Sequence, residues 1–150
     1  AFLILQRLET VSLRMKKHCE NASKVAHCFE NHKFVDHVIY PDLQTGTSRK
    51  NADKYLNNGF GGLVGFELKG GAEAGKKFID NLKLFYHVAN IGDSRSLAIH
   101  PATSIHSQLS YEDKLKSSVS DSYVRLSVGI EHIDDIVGDL TVALDKSQEK

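Results

Sequence analysis

The 150 residues carry nineteen basic and nineteen acidic side chains for a formal net charge of zero, so no basic excess exists to track a phosphate backbone and nucleic acid is not an expected partner. The length allows one domain with a modest core and too few residues for a second. No apolar run reaches the ~20 residues of a membrane span, and the first residues lack the basic, apolar and small-residue regions of a signal peptide, which points to a cytoplasmic protein.

The chain opens on Ala1-Phe-Leu-Ile-Leu5, apolar and without a capping residue or polar lead-in, the pattern expected of a chain cut from something longer. Leu5, Leu8, Ser12, Met15, Cys19, Ala22, Ala26 and Phe29 then step by three and four, which predicts one long amphipathic helix ended by Asn31-His-Lys. Cys19 and Cys28 fall on roughly opposite faces of it, about 13 Å apart along the axis, so no disulfide joins them. Asn21-Ala-Ser23 matches a glycosylation sequon, but inside a helix it carries no expectation of modification. A strand follows over 34–40, closed by Pro41, then a polar loop over 42–50 and a short helix over 51–56. The stretch 61–69 reads as a strand whose glycines imply the close approach of another backbone or a ligand. A helix is expected over 72–82 with Ala74, Phe78 and Leu82 inward. An extended segment over 84–89, a polar turn at 90–94 and a strand over 96–100 ended by Pro101 come next. Ser110 and Asp113 carry a helix-start signature.

Asp121 to Asp135 reads as a strand running into a closing helix, with Ile133, Ile136, Val137, Leu140 and Leu144 on one helical face and 146–150 frayed. In the strand, Val124, Leu126 and Val128 share one face and Tyr123, Arg125 and Ser127 the other, because side chains alternate. Arg125 therefore points away from the core. Such a guanidinium is either a solvated charge or a fork for a carboxylate or phosphate. The element order predicts an α+β fold, a small, mainly antiparallel sheet with helices on one face.

Several motifs invite chemistry and fall short of it. Gly70-Gly-Ala-Glu-Ala-Gly75-Lys-Lys77 is close to a phosphate-binding loop, but Lys77 stands where a hydroxyl would hold magnesium and Ala-Glu-Ala favours helix. The Gly59–Gly65 cluster precedes a strand, whereas a dinucleotide fingerprint opens a helix. The eight histidines show no zinc-like spacing, so no metal is expected. Asp93, Ser96, His100 and His106 lie near one another in sequence without a nucleophile elbow. The turn Asn90–Leu97 remains, at a strand end, where ligands commonly meet a rigid scaffold.

Gln6-Arg-Leu-Glu-Thr10, Gly59-Phe-Gly-Gly62, Asn81-Leu-Lys-Leu84, Ala89-Asn-Ile-Gly-Asp93, Ser96-Leu97, Pro101-Ala102, His106 and Val124-Arg-Leu-Ser-Val-Gly-Ile-Glu131 resemble, in order, the C-terminal part of the pyridoxal phosphate-dependent enzymes of cysteine and methionine metabolism. The resemblance implies the small substrate-recognition domain of a fold type I enzyme, residues 1–31 being the helix that joins it to an absent cofactor domain and 32–150 the α+β body. It implies the sulfhydrylase branch, in which sulfide or a thiol replaces the acetate of O-acetylhomoserine to give homocysteine, with the cofactor as electron sink. It implies that Arg125 grips the α-carboxylate of the amino-acid substrate at two points, that Ser96 helps to seat the same group, and that Leu97 and Asn90 are further substrate-binding residues. The homo-oligomer it implies is a tetramer. Because the lysine and phosphate-holding groups of the family lie in the other domain, this chain alone is expected neither to bind pyridoxal 5'-phosphate nor to turn over substrate, and no catalytic residue is assigned to it.

Three positions depart from the family pattern. Arg95 stands where the cystathionine-forming branch commonly has a glutamate suited to an incoming amino group, which favours a small anionic sulfide as nucleophile. Ile105 replaces a usual threonine, and Arg7 a usual glycine. The alternatives are a cystathionine γ-synthase or γ-lyase type enzyme of the same family, and a stand-alone binding or assembly module without the chemistry.

Overall fold

The computed structural model describes residues 2–104 and 120–149. In chain order its elements are α1 (Phe2–Glu9), α2 (Val11–Glu30), β1 (Val35–Ile39), α3 (Gly46–Tyr55), β2 (Leu63–Leu68), α4 (Gly71–Asn81), β3 (Tyr86–His87), β4 (Leu97–Ile99), β5 (Tyr123–Ser127) and α5 (Ile133–Ser147). The strands form one sheet in the order β1-β2-β5-β4-β3, antiparallel except where β3 lies parallel to β4. Val64, Phe66 and Leu68 of β2 and Val124, Leu126 and Val128 at β5 share the core with residues of α2, α4 and α5. The α+β expectation holds, with helices over one face. The aromatic rings of Phe29, Phe66 and Phe78 form a chain of edge contacts, 4.7 and 5.4 Å between centroids, that joins α2, the sheet and α4. Burying each such side chain stabilises the fold by roughly 1.5–3 kcal/mol.

Four local expectations are corrected. The long first helix is two helices, broken at Thr10. There the Arg14 guanidinium donates to the Thr10 hydroxyl and to the Arg7 carbonyl at 3.0 Å, an acceptor that in a continuous helix serves residue 11. Its buried face is also turned: Leu5, Leu8 and Met15 are exposed, whereas His18 and Asn21 are buried beside Ala22, Val25, Ala26 and Phe29. Hydropathy could not anticipate this, because the two polar side chains go inward to backbone acceptors in the segment that follows β5. The stretch 46–50 is helix rather than loop, held where Arg49 bonds Asp42 at 2.8 Å and Asp53, one turn on, at 2.9 Å. Finally, α5 does not fray at 146 but runs to Ser147, where the Gln148 amide donates to the Lys69 carbonyl at 2.8 Å. The helix start expected at Ser110 and Asp113, and the positions Ile105 and His106, lie outside the described residues.

Of the glycines in 61–69, Gly61 has no neighbour among the described residues, Gly65 is closed by the Tyr123 side chain, and Gly62, like Gly59 before it, is closed by side chains of α2. A Cβ on Gly62 would lie 3.1 Å from the Cβ of His18, and one on Gly59 would lie 2.9 Å from that of Cys19. The glycine-rich stretch before α4 is closed in the same way. Its helix begins at Gly71, so the Ala-Glu-Ala run is helical, and a Cβ on Gly75 would stand 2.4 Å from Nε2 of His100. Gly75 serves packing against an imidazole.

That imidazole is buried, between the Asp121 carbonyl at 2.8 Å and the Thr103 hydroxyl at 2.9 Å. The pair is satisfied when Nε2 donates and Nδ1 accepts, the neutral form. Burial pushes the His100 pKa below its ordinary value. The unfolded chain therefore takes up a proton that the folded chain refuses. Stability from this site is complete above the unfolded value near ~6.5 and is lost as pH falls through it toward the lower folded value. Thermal unfolding of the intact protein is expected to show a melting temperature that declines from pH 8 to 5.5, with a shallower decline in His100→Gln. Some slope will persist, since burial also lowers the pKa of His32.

Candidate functional site

Arg125 stands in the middle of β5, paired across to Gly65 on one side and Ile99 on the other. It is half-buried, on the face away from the helices. One guanidinium nitrogen, Nη2, donates to the Asn90 carbonyl at 3.3 Å. Its Nε is buried with no partner, and no carboxylate lies within ion-pair distance, among the described residues. Among the described residues the guanidinium thus keeps hydrogen-bonding capacity that no side-chain carboxylate takes up.

The parallel pairing of β3 with β4 explains how Asn90 comes to lie there. Both strands run the same way, so residues 88–96 must carry the chain back to the start of β4, and on this return they meet Arg125 and the segment after β5. Hydrogen bonds stitch this return to the segment that follows β5. The Gly92 amide donates to the Ser127 hydroxyl at 3.0 Å and the Ile130 amide to the Ser94 carbonyl at 2.9 Å. Glu131 accepts twice from Ser96, from its amide at 2.7 Å and its hydroxyl at 2.9 Å, while the same hydroxyl accepts from the Gly129 amide at 2.9 Å. The segment is in turn held from α2: His18 Nδ1 donates to the Val128 carbonyl at 2.6 Å, and Asn21 to the carbonyls of Gly129 and Glu131 at 3.0 and 2.9 Å.

The predicted residues thus come together, in roles of different kinds. Asn90 contributes its backbone carbonyl to Arg125, while its side chain accepts from the Ile91 amide at 2.8 Å. Ser96 is wholly buried, its hydroxyl and amide both held by Glu131, so what it offers is the position of the turn. Leu97 is buried between Tyr86 and Ser127 in the sheet. Arg95 is exposed, lies over the Tyr86 ring at 4.9 Å and is braced where its amide donates to Asp93 at 3.0 Å. Arg7 gains a location: with Arg14, Gly92, Asp93 and Ser94 it lines a polar cleft of about 180 Å³ beside the same turn. A larger, apolar cleft of about 410 Å³ opens between Met15, Phe60, Leu63, Ile91 and Val128.

Glu131, Asn21 and His18 were not among the predicted site residues. Glu131 stood in the quoted motif without a role. The burial of His18 and Asn21 had no signal in the sequence, which places neither on the predicted inner face, and their partners lie more than a hundred positions away. Tyr123 shares the Arg125 face, and its hydroxyl sits 2.6 Å from where a Gly65 Cβ would be. Burial raises its pKa, so it is a neutral phenol beside the guanidinium. No group of three or more metal-ligating side chains occurs among the described residues, and no helix among them is long and apolar enough to cross a membrane.

The model of the Cys/Met metabolism PLP-dependent enzyme family matches residues 1–145. The O-acetyl-L-homoserine sulfhydrylase of Leptospira meyeri is 51% identical over 145 residues, covering 96% of this chain and 33% of its own length. The L-methionine gamma-lyase of Fusobacterium nucleatum is 40% identical over 146 residues, covering 97% of this chain and 37% of its own. A solved Campylobacter jejuni structure, named as a candidate O-acetylhomoserine (thiol)-lyase and carrying a pyridoxyl-lysine phosphate group, superimposes with a TM-score of 0.87 at 41% identity over 95% of this chain and 34% of its own. The chain spans about a third of the length of these relatives. With a matching family model over nearly all its residues, the chain belongs to the Cys/Met metabolism PLP-dependent enzymes.

Proposed function

We propose that this chain is the substrate-recognition domain of an O-acetylhomoserine sulfhydrylase, in which Arg125 holds the α-carboxylate of O-acetylhomoserine. The observation that supports the reading is a guanidinium on the open face of the sheet that bonds one backbone carbonyl and has no carboxylate within ion-pair distance among the described residues. A planar fork matches a carboxylate at two points, which an ammonium cannot do. Held this way, the amino acid has its Cα–H bond oriented for proton removal, an effect of positioning. The Asn90 carbonyl steadies the fork and the Ser96 turn frames it. Tyr123 walls the same face with a neutral phenol.

Pyridoxal phosphate supplies an electron sink to reactions of this family. The described residues of this chain fit the carboxylate end of the substrate and do not form a phosphate cradle, since the one glycine-rich candidate is already helical at Gly71 and packed on His100. The cofactor is therefore assigned to the remainder of a longer, cytoplasmic protein, with α1 as part of the connection to it. Phe2, Leu3, Ile4, Leu5 and Leu8, all more than half exposed, support that assignment, since an apolar stripe of this size calls for a cover. Assembly as a homotetramer belongs to the same reading.

The exposed Arg95 favours an anionic nucleophile. Assayed with O-acetylhomoserine, the intact, cofactor-loaded protein is expected to form homocysteine from sulfide and to use cysteine poorly. A clear preference for cysteine overturns the sulfhydrylase assignment in favour of cystathionine formation, and elimination from methionine without an added nucleophile favours a γ-lyase.

A further inference from the structure

Both carboxylate oxygens of Glu131 are engaged by Ser96, and among the described residues no cation lies within ion-pair distance of them. An acidic side chain in that position is not serving as an ion-pair partner. It accepts a backbone amide and a hydroxyl from a residue that is itself wholly buried, and a charged acceptor makes those bonds shorter and stronger than a neutral one would. The Gly129 amide closes the loop on the Ser96 hydroxyl, and Asn21 fixes the backbone at both ends of the segment by holding the Gly129 and Glu131 carbonyls. A continuous path therefore runs from α2 through Asn21 to Glu131, from Glu131 to Ser96, and along the return to Asn90 and Arg125.

We propose that Glu131 is a positioning residue for substrate binding: its carboxylate anchors the Asn90–Ser96 return, and through it the Asn90 carbonyl that braces Arg125 and the placement of Arg95. The proposal rests on the assignment of Arg125 to the substrate carboxylate. Ser96 does not have to touch the substrate in this scheme. It is the handle by which Glu131 holds the turn.

The test uses the intact, cofactor-loaded protein with O-acetylhomoserine and sulfide, comparing Glu131→Ala, Glu131→Asp, Glu131→Gln and Arg125→Ala. Alanine removes both acceptors, and aspartate keeps the charge but withdraws it by one methylene. Glutamine keeps an acceptor for the Ser96 amide and turns a donor to its hydroxyl. Glu131→Ala and Glu131→Asp are expected to raise KM for O-acetylhomoserine by about tenfold with a smaller fall in kcat, as a loosened but still present grip demands, and Glu131→Gln to recover most of the loss. KM within twofold of the parent in both alanine and aspartate variants overturns the proposal, as does a fall in kcat at unchanged KM. Should alanine be insoluble, aspartate decides; insolubility of both overturns it too, since the carboxylate would then serve folding. If Arg125→Ala raises KM while the Glu131 variants do not, only the role of Glu131 falls. If Arg125→Ala leaves KM unchanged, the carboxylate reading fails and takes this one with it.

Discussion

Replacing Arg125 with alanine is expected to lower kcat/KM for O-acetylhomoserine by about two to four orders of magnitude. The proposed grip comprises two charge-assisted hydrogen bonds, each worth about 1.5–3 kcal/mol, and a tenfold change in rate corresponds to about 1.4 kcal/mol. Lysine should recover little, about tenfold at most, because it restores the charge but not the fork. Steady-state kinetics on the intact protein reads both. The loss should appear in kcat as well as KM, since a substrate held by one end fewer presents its Cα–H bond in many orientations. Should alanine cost less than about threefold, Arg125 is the solvated charge that its place on the open face equally allowed.

Gly129→Ala is expected to be the most damaging small substitution for stability. A Cβ there would fall 2.2 Å from a Glu131 carboxylate oxygen, 2.5 Å from the Ser96 amide nitrogen and 2.6 Å from the Arg95 carbonyl carbon. Two of the three are backbone atoms fixed by the sheet, so the added methyl cannot be absorbed by a rotamer change. Overpacking of this kind costs about 1–3 kcal/mol. Displacing the carboxylate would further strip a buried amide and hydroxyl of their acceptor, which costs about 1–3 kcal/mol again. Gly138, in the exposed middle of α5, has nothing within 4 Å of its would-be Cβ. There the same change should stabilise by about 0.5–1 kcal/mol, because alanine loses less conformational freedom in a helix. Thermal unfolding of the two variants beside the parent checks the contrast in sign. A Gly129→Ala protein as stable as the parent would mean that the segment after β5 moves freely, against the network described here.

The elements were legible wherever one local rule decided them. Alternation of Val124, Leu126 and Val128 against Tyr123, Arg125 and Ser127 located β5 and its outward arginine, and Pro41 and Pro101 marked strand ends. On the closing helix Ile136, Leu140 and Leu144 are buried as expected, Ile133 and Val137 are only half-buried, and Ala143 and Ser147 are buried beside them. Expectation failed where a distant or polar partner outweighed hydropathy. Arg14 breaks the first helix at Thr10 by taking local acceptors, Arg49 holds residues 46–50 in helix through Asp42 and Asp53, and His18 and Asn21 turn inward to carbonyls of the segment after β5, more than a hundred residues on.

For the site, the sequence by itself determined the candidates for chemistry: an arginine on the open face of a strand, a polar turn at Asn90–Leu97, and the ordered motifs of a family. It could not determine how they are joined. Periodicity reports the face of an element that a residue occupies, because that depends on backbone geometry alone. The partner of each side chain depends on which strands become neighbours. Only the sheet order, with β5 between β2 and β4 and a parallel β3 returning the chain past Arg125, decided that Asn90 braces the guanidinium through its backbone. The same packing decided that Ser96 is held by Glu131, 35 positions away, and that a glycine is required between them at position 129.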